Sequence, residues 1–167
     1  MEKWDAYTRE GVLTDAVLVR GEPIPEGLYH LVCDVLVRHA DGSYLCMKRA
    51  LSKEAYAGFY EATAGGSALR GEDAHACGKR ELKEETGIDC DELEEIDRIV
   101  YDDDHCIFYS FLCTVDCDKD SVRLQEGETE DYVWMSEKEF IAFVNSDKMI
   151  APQKRRYMKY LKKLGYV

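Results

Sequence analysis

The chain has 167 residues, a net charge of −12 and 46% hydrophobic residues, with a pI near 4.8 and a mean hydropathy of −0.42. That length suits one domain with a real core, and the acidic surplus argues against nonspecific nucleic-acid binding. No apolar leader and no membrane-length apolar run is present, so a cytoplasmic protein with no membrane partner is expected.

Residues 1–27 read as an N-terminal extension packed on a main domain of residues 28–167. Trp4, Val12, Leu13, Val17 and Leu18 predict two short strands about a turn at Arg9-Glu10-Gly11, followed by a proline and glycine loop at 20–27. The extension holds too many apolar residues to be disordered. Tyr29 to Val37 is a nearly continuous apolar run, as in a central strand. Asp41-Gly42 predicts a tight turn and Tyr44 to Lys48 the returning strand. Lys48 and Arg49 end that strand with two positive charges, which fits either a solvated end or a phosphate contact. Lys53, in the next loop, has the same two readings. Phe59 to Ala64 predicts another strand, running into Gly65-Gly66, where the chain can turn sharply or approach a ligand closely.

A helix is expected from about Glu72 to a stop at Gly87. At 100° per residue, Ala74, Cys77 and Gly78 share a side with Glu81, Glu84 and Glu85, while Lys79 and Lys83 point away. A small, apolar stripe thus becomes three carboxylates. Like charges on one face repel and are costly if dry. A solvated helix surface explains them, and so does a hard divalent cation, for which carboxylate oxygens are the preferred ligands.

Leu93 to Tyr101 and Cys106 to Val115 predict two more strands. Asp102-Asp103-Asp104-His105 between them reads as a solvated hairpin turn, since consecutive residues of an extended chain diverge. Residues 116–128 predict an acidic loop over the site, and Asp131 to Met135 a short strand. Ser136 and Glu139 form a capping box for a helix to about Asn145. Pro152 opens a last helix to about Lys163, with Tyr157, Met158 and Leu161 inward and its basic residues solvated, Arg155 or Arg156 near a phosphate being the lesser reading. The odd count of seven cysteines without a CxxC pair predicts reduced thiols, with Cys33, Cys46, Cys106 and Cys113 in buried strands. Cys113 and Cys117 are too loosely spaced for a zinc site without a second pair. Tyr56, Phe59, Tyr60 and Tyr109 are candidate aromatic stackers or core residues.

Gly66, five residues, Glu72, seven residues, then Arg80-Glu81-Leu82-x-Glu84-Glu85-x-Gly87-Ile88 resembles the Nudix box at all nine specified positions. The resemblance implies an α/β fold, the Nudix α/β/α sandwich with a central mixed sheet. It implies a pyrophosphohydrolase that uses Mg²⁺ (or Mn²⁺) to cleave a diphosphate linking a nucleoside to another group X. By position, Glu81, Glu84 and Glu85 would be metal ligands and catalytic residues, joined by a carbonyl at Gly65 or Gly66. Glu72 would pair with Arg80 to hold the helix on its loop. Glu128, or next Glu130, matches the late glutamate that completes the metal site or acts as base. Divalent ions suit this chemistry because they bridge phosphate oxygens and activate water.

The N-terminal part also resembles the Nudix branch that includes isopentenyl diphosphate isomerase, in whose dimeric relatives such extensions pack on a partner; a homodimer is therefore an expectation here. The isomerase reading itself fails at Ala64-Gly65-Gly66-Ser67, which lacks the catalytic cysteine and the metal-binding histidine of that branch. His30, at the matching strand mouth, reads as a buried, hydrogen-bonded histidine. A catalytically silent nucleotide-binding module is the remaining alternative, and no second motif names the substrate.

Overall fold

The computed structural model describes residues 1–167. Strands β1 (Lys3–Tyr7) and β2 (Leu13–Val19) form an antiparallel hairpin. Strands β3 (His30–His39), β4 (Tyr44–Arg49), β5 (Tyr60–Glu61), β6 (Ala64–Ser67), β7 (Glu94–Tyr101), β8 (Cys106–Val115) and β9 (Thr129–Met135) form one mixed sheet. The helices are α1 (Ala74–Thr86), α2 (Glu137–Val144) and α3 (Ala151–Lys163). No helix is long and apolar enough to cross a membrane.

Strand β3 is the hub. It runs parallel to β8 from His30↔Cys106 to His39↔Val115, antiparallel to β6 from Val32↔Ser67 to Val35↔Ala64, and turns into β4 at Arg38↔Tyr44. Its apolar run is buried on both faces because the sheet divides two cores. Cys33, Val35 and Val37 pack with Leu82 of α1, Ile107 and Phe111. Leu36 packs on the other side with Phe140 of α2 and with Tyr157 and Leu161 of α3. Period-two alternation therefore sends odd and even residues of one strand to different helix layers, giving the α/β/α arrangement. The hairpin has its own small core of Trp4, Ala6 and Leu18. It is tied to the sheet at Tyr7↔Tyr29 and to the loop before α1 by Arg70 N–H to the Lys3 carbonyl (2.9 Å).

Three local expectations are corrected. The strand foreseen over Phe59 to Ala64 is two short strands broken at Ala62-Thr63. Thr63 takes a left-handed φ of 70°, accepts a hydrogen bond from Val37 N–H (3.1 Å) and donates one to the Leu45 carbonyl (2.8 Å). Its side chain bridges β3 and β4 where they separate, and the chain passes from pairing with β4 to pairing with β3. Helix α1 begins at Ala74, not Glu72, because Asp73 is the N-cap and accepts from Ala76 N–H. Cys113 is not a free thiol: it forms a disulfide with Cys90, across a Cα–Cα distance of 6.5 Å, where the end of β8 meets the loop returning from α1. Cys33, Cys46, Cys77 and Cys106 are buried free thiols.

Candidate active site

The second half of α1 faces an open cleft of about 470 Å³. Glu81, Glu84 and Glu85 line it, as do Gly65, Gly66 and Ser67 of β6. Glu85 is buried, and its one hydrogen bond is a long one from Gly65 N–H at 3.5 Å. Burial pushes its carboxyl up to about 9, helped by the charges of Glu61, Glu81 and Glu128. The charges that chiefly act on it are those of anions. Glu81 is raised by burial too, against the pull of Arg80.

Arg80 fastens this face to the preceding loop. It donates bidentately to Glu72 (Nε–Oε1 2.7 Å, Nη2–Oε2 3.0 Å) and to the Ser67 carbonyl (3.1 Å). Nη1 reaches Glu81 at 2.7 Å and Glu84 at 3.1 Å. Burial alone would raise Glu72, but Arg80 and the Leu69 N–H outweigh it and hold the carboxyl low. The expected Glu72–Arg80 pair is thus present, and it reaches two of the box glutamates as well. At Gly66 a Cβ would lie 2.3 Å from Glu81 Oε1, so a side chain there would displace that carboxylate.

The opposite wall comes from distant segments. Glu128 lies in the cleft and is salt-bridged to Lys53. Arg49, at the end of β4, lines the cleft and pairs with Glu61 at 3.2 Å. Lys48 does not reach the cleft; it pairs with Glu130 at 2.8 Å outside it, since consecutive strand residues face opposite ways. Of the two late glutamates, Glu128 lies in the cleft and Glu130 outside it. Glu85 is left as the buried carboxylate with no cation against it. No three carboxylates, imidazoles or thiols close into a ready-made ligand cluster, and Arg80 is paired with Glu81 and Glu84.

Among the aromatic candidates, Tyr109 lies against Arg98 and Phe111 on the α1 side, away from the cleft. Tyr56 and Phe59 stack edge to face and remain half exposed. Tyr60 packs into the core beneath α2 and α3. His30 is buried, stacked on Trp4 with ring centroids 4.2 Å apart, and bonded to the His105 carbonyl. Asp102 of the acidic turn binds Arg9 and Tyr29. Sequence reasoning missed Glu61, Gln125, and Glu2 and Arg20 of the hairpin, all of which line the cleft. Glu61 had one signal, a carboxylate inside a strand that leads into Gly65-Gly66; the others had none.

This geometry can be set against known proteins. The NUDIX domain family model matches residues 28–161. The chain belongs to the NUDIX domain family. It is similar to the Nudix hydrolase lmo0368 of Listeria monocytogenes, 30% identical over 150 residues that cover 90% of this chain and 89% of that protein. Its fold is like that of DR0079 from Deinococcus radiodurans, with a TM-score of 0.74 at 13% identity, covering 95% of this chain and 98% of that one. It is also like the Nudix domain of NrtR from Shewanella oneidensis, solved with ADP ribose, with a TM-score of 0.62 at 12% identity and coverage of 81% and 88%. The chain is thus a Nudix hydrolase, a pyrophosphohydrolase by family, and the cleft between α1, β6 and the 116–128 loop holds its box residues.

Proposed function

We propose that this Nudix hydrolase cleaves the diphosphate linkage of a nucleoside diphosphate joined to a group X, with Mg²⁺ or Mn²⁺ as cofactor. One observation carries the reading: Glu85 is a buried carboxylate at an open cleft, surrounded by Glu61, Glu81 and Glu128 and matched by no cation. A divalent ion supplies the missing charge, and an all-oxygen donor set suits Mg²⁺. Glu81, Glu84 and Glu85 would hold it, with the Gly66 carbonyl beside them, in competition with Arg80 for the first two. Bound there, such an ion polarises phosphate oxygens and lowers the pKa of water. Arg49 and Lys53 face the same space and are available to the diphosphate oxygens. Glu128, held by Lys53 on the far wall, would orient or deprotonate the attacking water.

The test is a hydrolysis screen over nucleoside diphosphates and triphosphates, ADP-ribose, NADH, dinucleoside polyphosphates, nucleotide sugars and isopentenyl diphosphate. Each is run with Mg²⁺, with Mn²⁺ and with EDTA, and a coupled phosphatase reveals products that release no free phosphate. Metal-dependent cleavage of a nucleoside diphosphate derivative is expected. Equal turnover in EDTA would remove the metal from the reading, and silence across the panel would favour the binding-module alternative.

A further inference from the structure

The hairpin brings to the cleft two residues, Glu2 and Arg20, that lie outside the residues matched by the family model. Glu2 precedes β1 and Arg20 follows β2, so they face each other across the open end of the hairpin, where Arg20 N–H donates to the Glu2 carbonyl (3.0 Å). Their side chains meet as well, with Arg20 Nη1 donating to Glu2 Oε2 at 3.1 Å. Glu2 is fixed from behind: Oε1 accepts from Trp4 Nε1 at 2.7 Å, and Trp4 is buried against His30. The hairpin is bonded to the loop before α1 by Arg70 N–H to the Lys3 carbonyl and by Gly71 N–H to Asp5 Oδ2 (2.7 Å). Arg80 grips the same loop at Ser67 and Glu72. One loop therefore positions both the Glu2–Arg20 pair and the box glutamates.

The four cations of the cleft are not equally committed. Arg80 is taken by Glu72, Glu81 and Glu84, Arg49 by Glu61 and the Ala55 carbonyl, and Lys53 by Glu128. Arg20 meets only Glu2, its side chain is 67% exposed, and its Nε and Nη2 donate to no protein group. An ion pair so exposed is weak and rearranges easily around a ligand. Its two charges offset each other, so it holds no surplus for another phosphate. It does set carboxylate acceptors beside guanidinium donors. A hydroxyl is donor and acceptor at once, and two neighbouring hydroxyls match such a pair. The rest of the lining agrees. Only Val32 and Leu69 in it are apolar and no aromatic ring lines it, so the cleft has no wall for an aliphatic chain and no ring to stack on.

We propose that Glu2 and Arg20 are specificity-determining residues that select a hydroxylated group X, a sugar or another polyol. Glu2 accepts from its hydroxyls, and Arg20 Nε and Nη2 donate to their oxygens. Arg49, Lys53 and Glu128 stand on the far wall with the box glutamates between, so the pair meets the part of the substrate that extends past the glutamates on the hairpin side. The inference rests on the hydrolase reading for where the diphosphate lies, and it narrows X from any group to one rich in hydroxyls.

The experiment compares kcat/KM on CDP-glycerol, ADP-ribose and UDP-glucose with that on the propyl esters of CDP, ADP and UDP, which keep the diphosphate and the nucleoside but have no hydroxyl on X. Wild type, Arg20→Ala and Glu2→Gln are measured. The ratio of each hydroxylated substrate to its propyl ester should fall about 10- to 100-fold in Arg20→Ala, mainly through KM, which is the range for hydrogen bonds to a charged group. Glu2→Gln should move it in the same direction. A fixed ratio overturns the proposal: with both rates lowered it assigns Arg20 to the diphosphate or to packing, and with neither lowered it leaves the pair idle. A wild type that favours the propyl esters, or that cleaves other diphosphates and neither series, overturns it too. Should Arg20→Ala fail to fold, Arg20→Lys, which keeps the charge and loses the fork, takes its place with the same expected direction. Should the wild type cleave nothing at all, the hydrolase reading fails, and calorimetry with CDP-glycerol, ADP-ribose and UDP-glucose decides the pair separately. Binding of one of them that weakens in the Arg20 variant supports the proposal; binding that does not weaken, or no binding, overturns it.

Discussion

Glu85 stands where a carboxylate is stable only neutral or with a cation beside it. Replacing it with the neutral isostere keeps the shape and removes the cost of holding a buried acid protonated, so Glu85→Gln should fold with an unchanged or higher melting temperature. In the proposed role it also removes a metal ligand, and turnover should fall more than about 100-fold, beyond the loss typical of residues that merely support a ligand. A variant with wild-type turnover would overturn the site. His30 makes a separate prediction. Burial depresses its pKa, even though the His105 carbonyl opposes the shift. Above the ordinary imidazole value of about 6.5, folded and unfolded chains are both neutral and the residue adds no pH dependence. As pH falls through that value the unfolded chain takes the proton first, and stability is lost. The melting temperature should therefore drop between about pH 7 and pH 5, and His30→Gln should flatten that part of the profile. Thermal melts across this pH range decide it; an equally steep profile in the variant would assign the slope elsewhere.

At the scale of elements, α1 shows why some of the site was legible and some was not. The spacing of Glu72, Arg80, Glu81, Glu84 and Glu85 was readable because one helix and its loop fix those residues relative to each other. Ser136 and Glu139 were readable for the same reason, and the complete capping box is present. Glu61 was obscured because the strand expected over 59–64 breaks at Thr63, and that break depends on Val37 and Leu45, neither close in sequence. The two charges at 48 and 49 read alike in sequence, but only the pleat of β4 separates them, one into the cleft and one onto Glu130. Gly78 tests the packing of α1 directly. Alanine is the better helix former by about 1 kcal/mol, but its Cβ would sit 2.8 Å from Leu93 Cδ1 and 3.3 Å from Val35 Cγ2. Overpacking costs typically about 1–3 kcal/mol, so Gly78→Ala should lower the stability measured by urea unfolding despite its propensity. A gain would mean that α1 can lift off the sheet at no cost.

Across the whole molecule, the features that escaped the sequence are those closed by long-range contacts. Asp34 meets Arg156 from opposite ends of the chain, the hairpin delivers Glu2 and Arg20 to a cleft built by residues 32–128, and Cys90 meets Cys113 where the α1 return crosses the end of β8. An apolar strand pattern predicts a buried cysteine but carries no information on what lies opposite it. The disulfide is the covalent link among these, and it ties the loop after α1 to the strand that runs beside the hub of the sheet. The two cysteines are 23 residues apart in sequence, and closing a loop of that size in the unfolded chain stabilises the fold by about 3 kcal/mol. That is a large share of the roughly 5–15 kcal/mol that holds an ordinary domain together. Titration of the denatured protein with a thiol reagent should find five thiols before reduction and seven after, from the seven cysteines and one bridge. Reduction should lower the melting temperature by about 6–12 °C, at 2–4 °C per kcal/mol for a chain of this size. Cys113→Ala should melt near the reduced wild type and no longer respond to reductant. Seven thiols before reduction would show that the sequence reading of free cysteines was right and that the contact between β8 and the α1 return is held by packing alone.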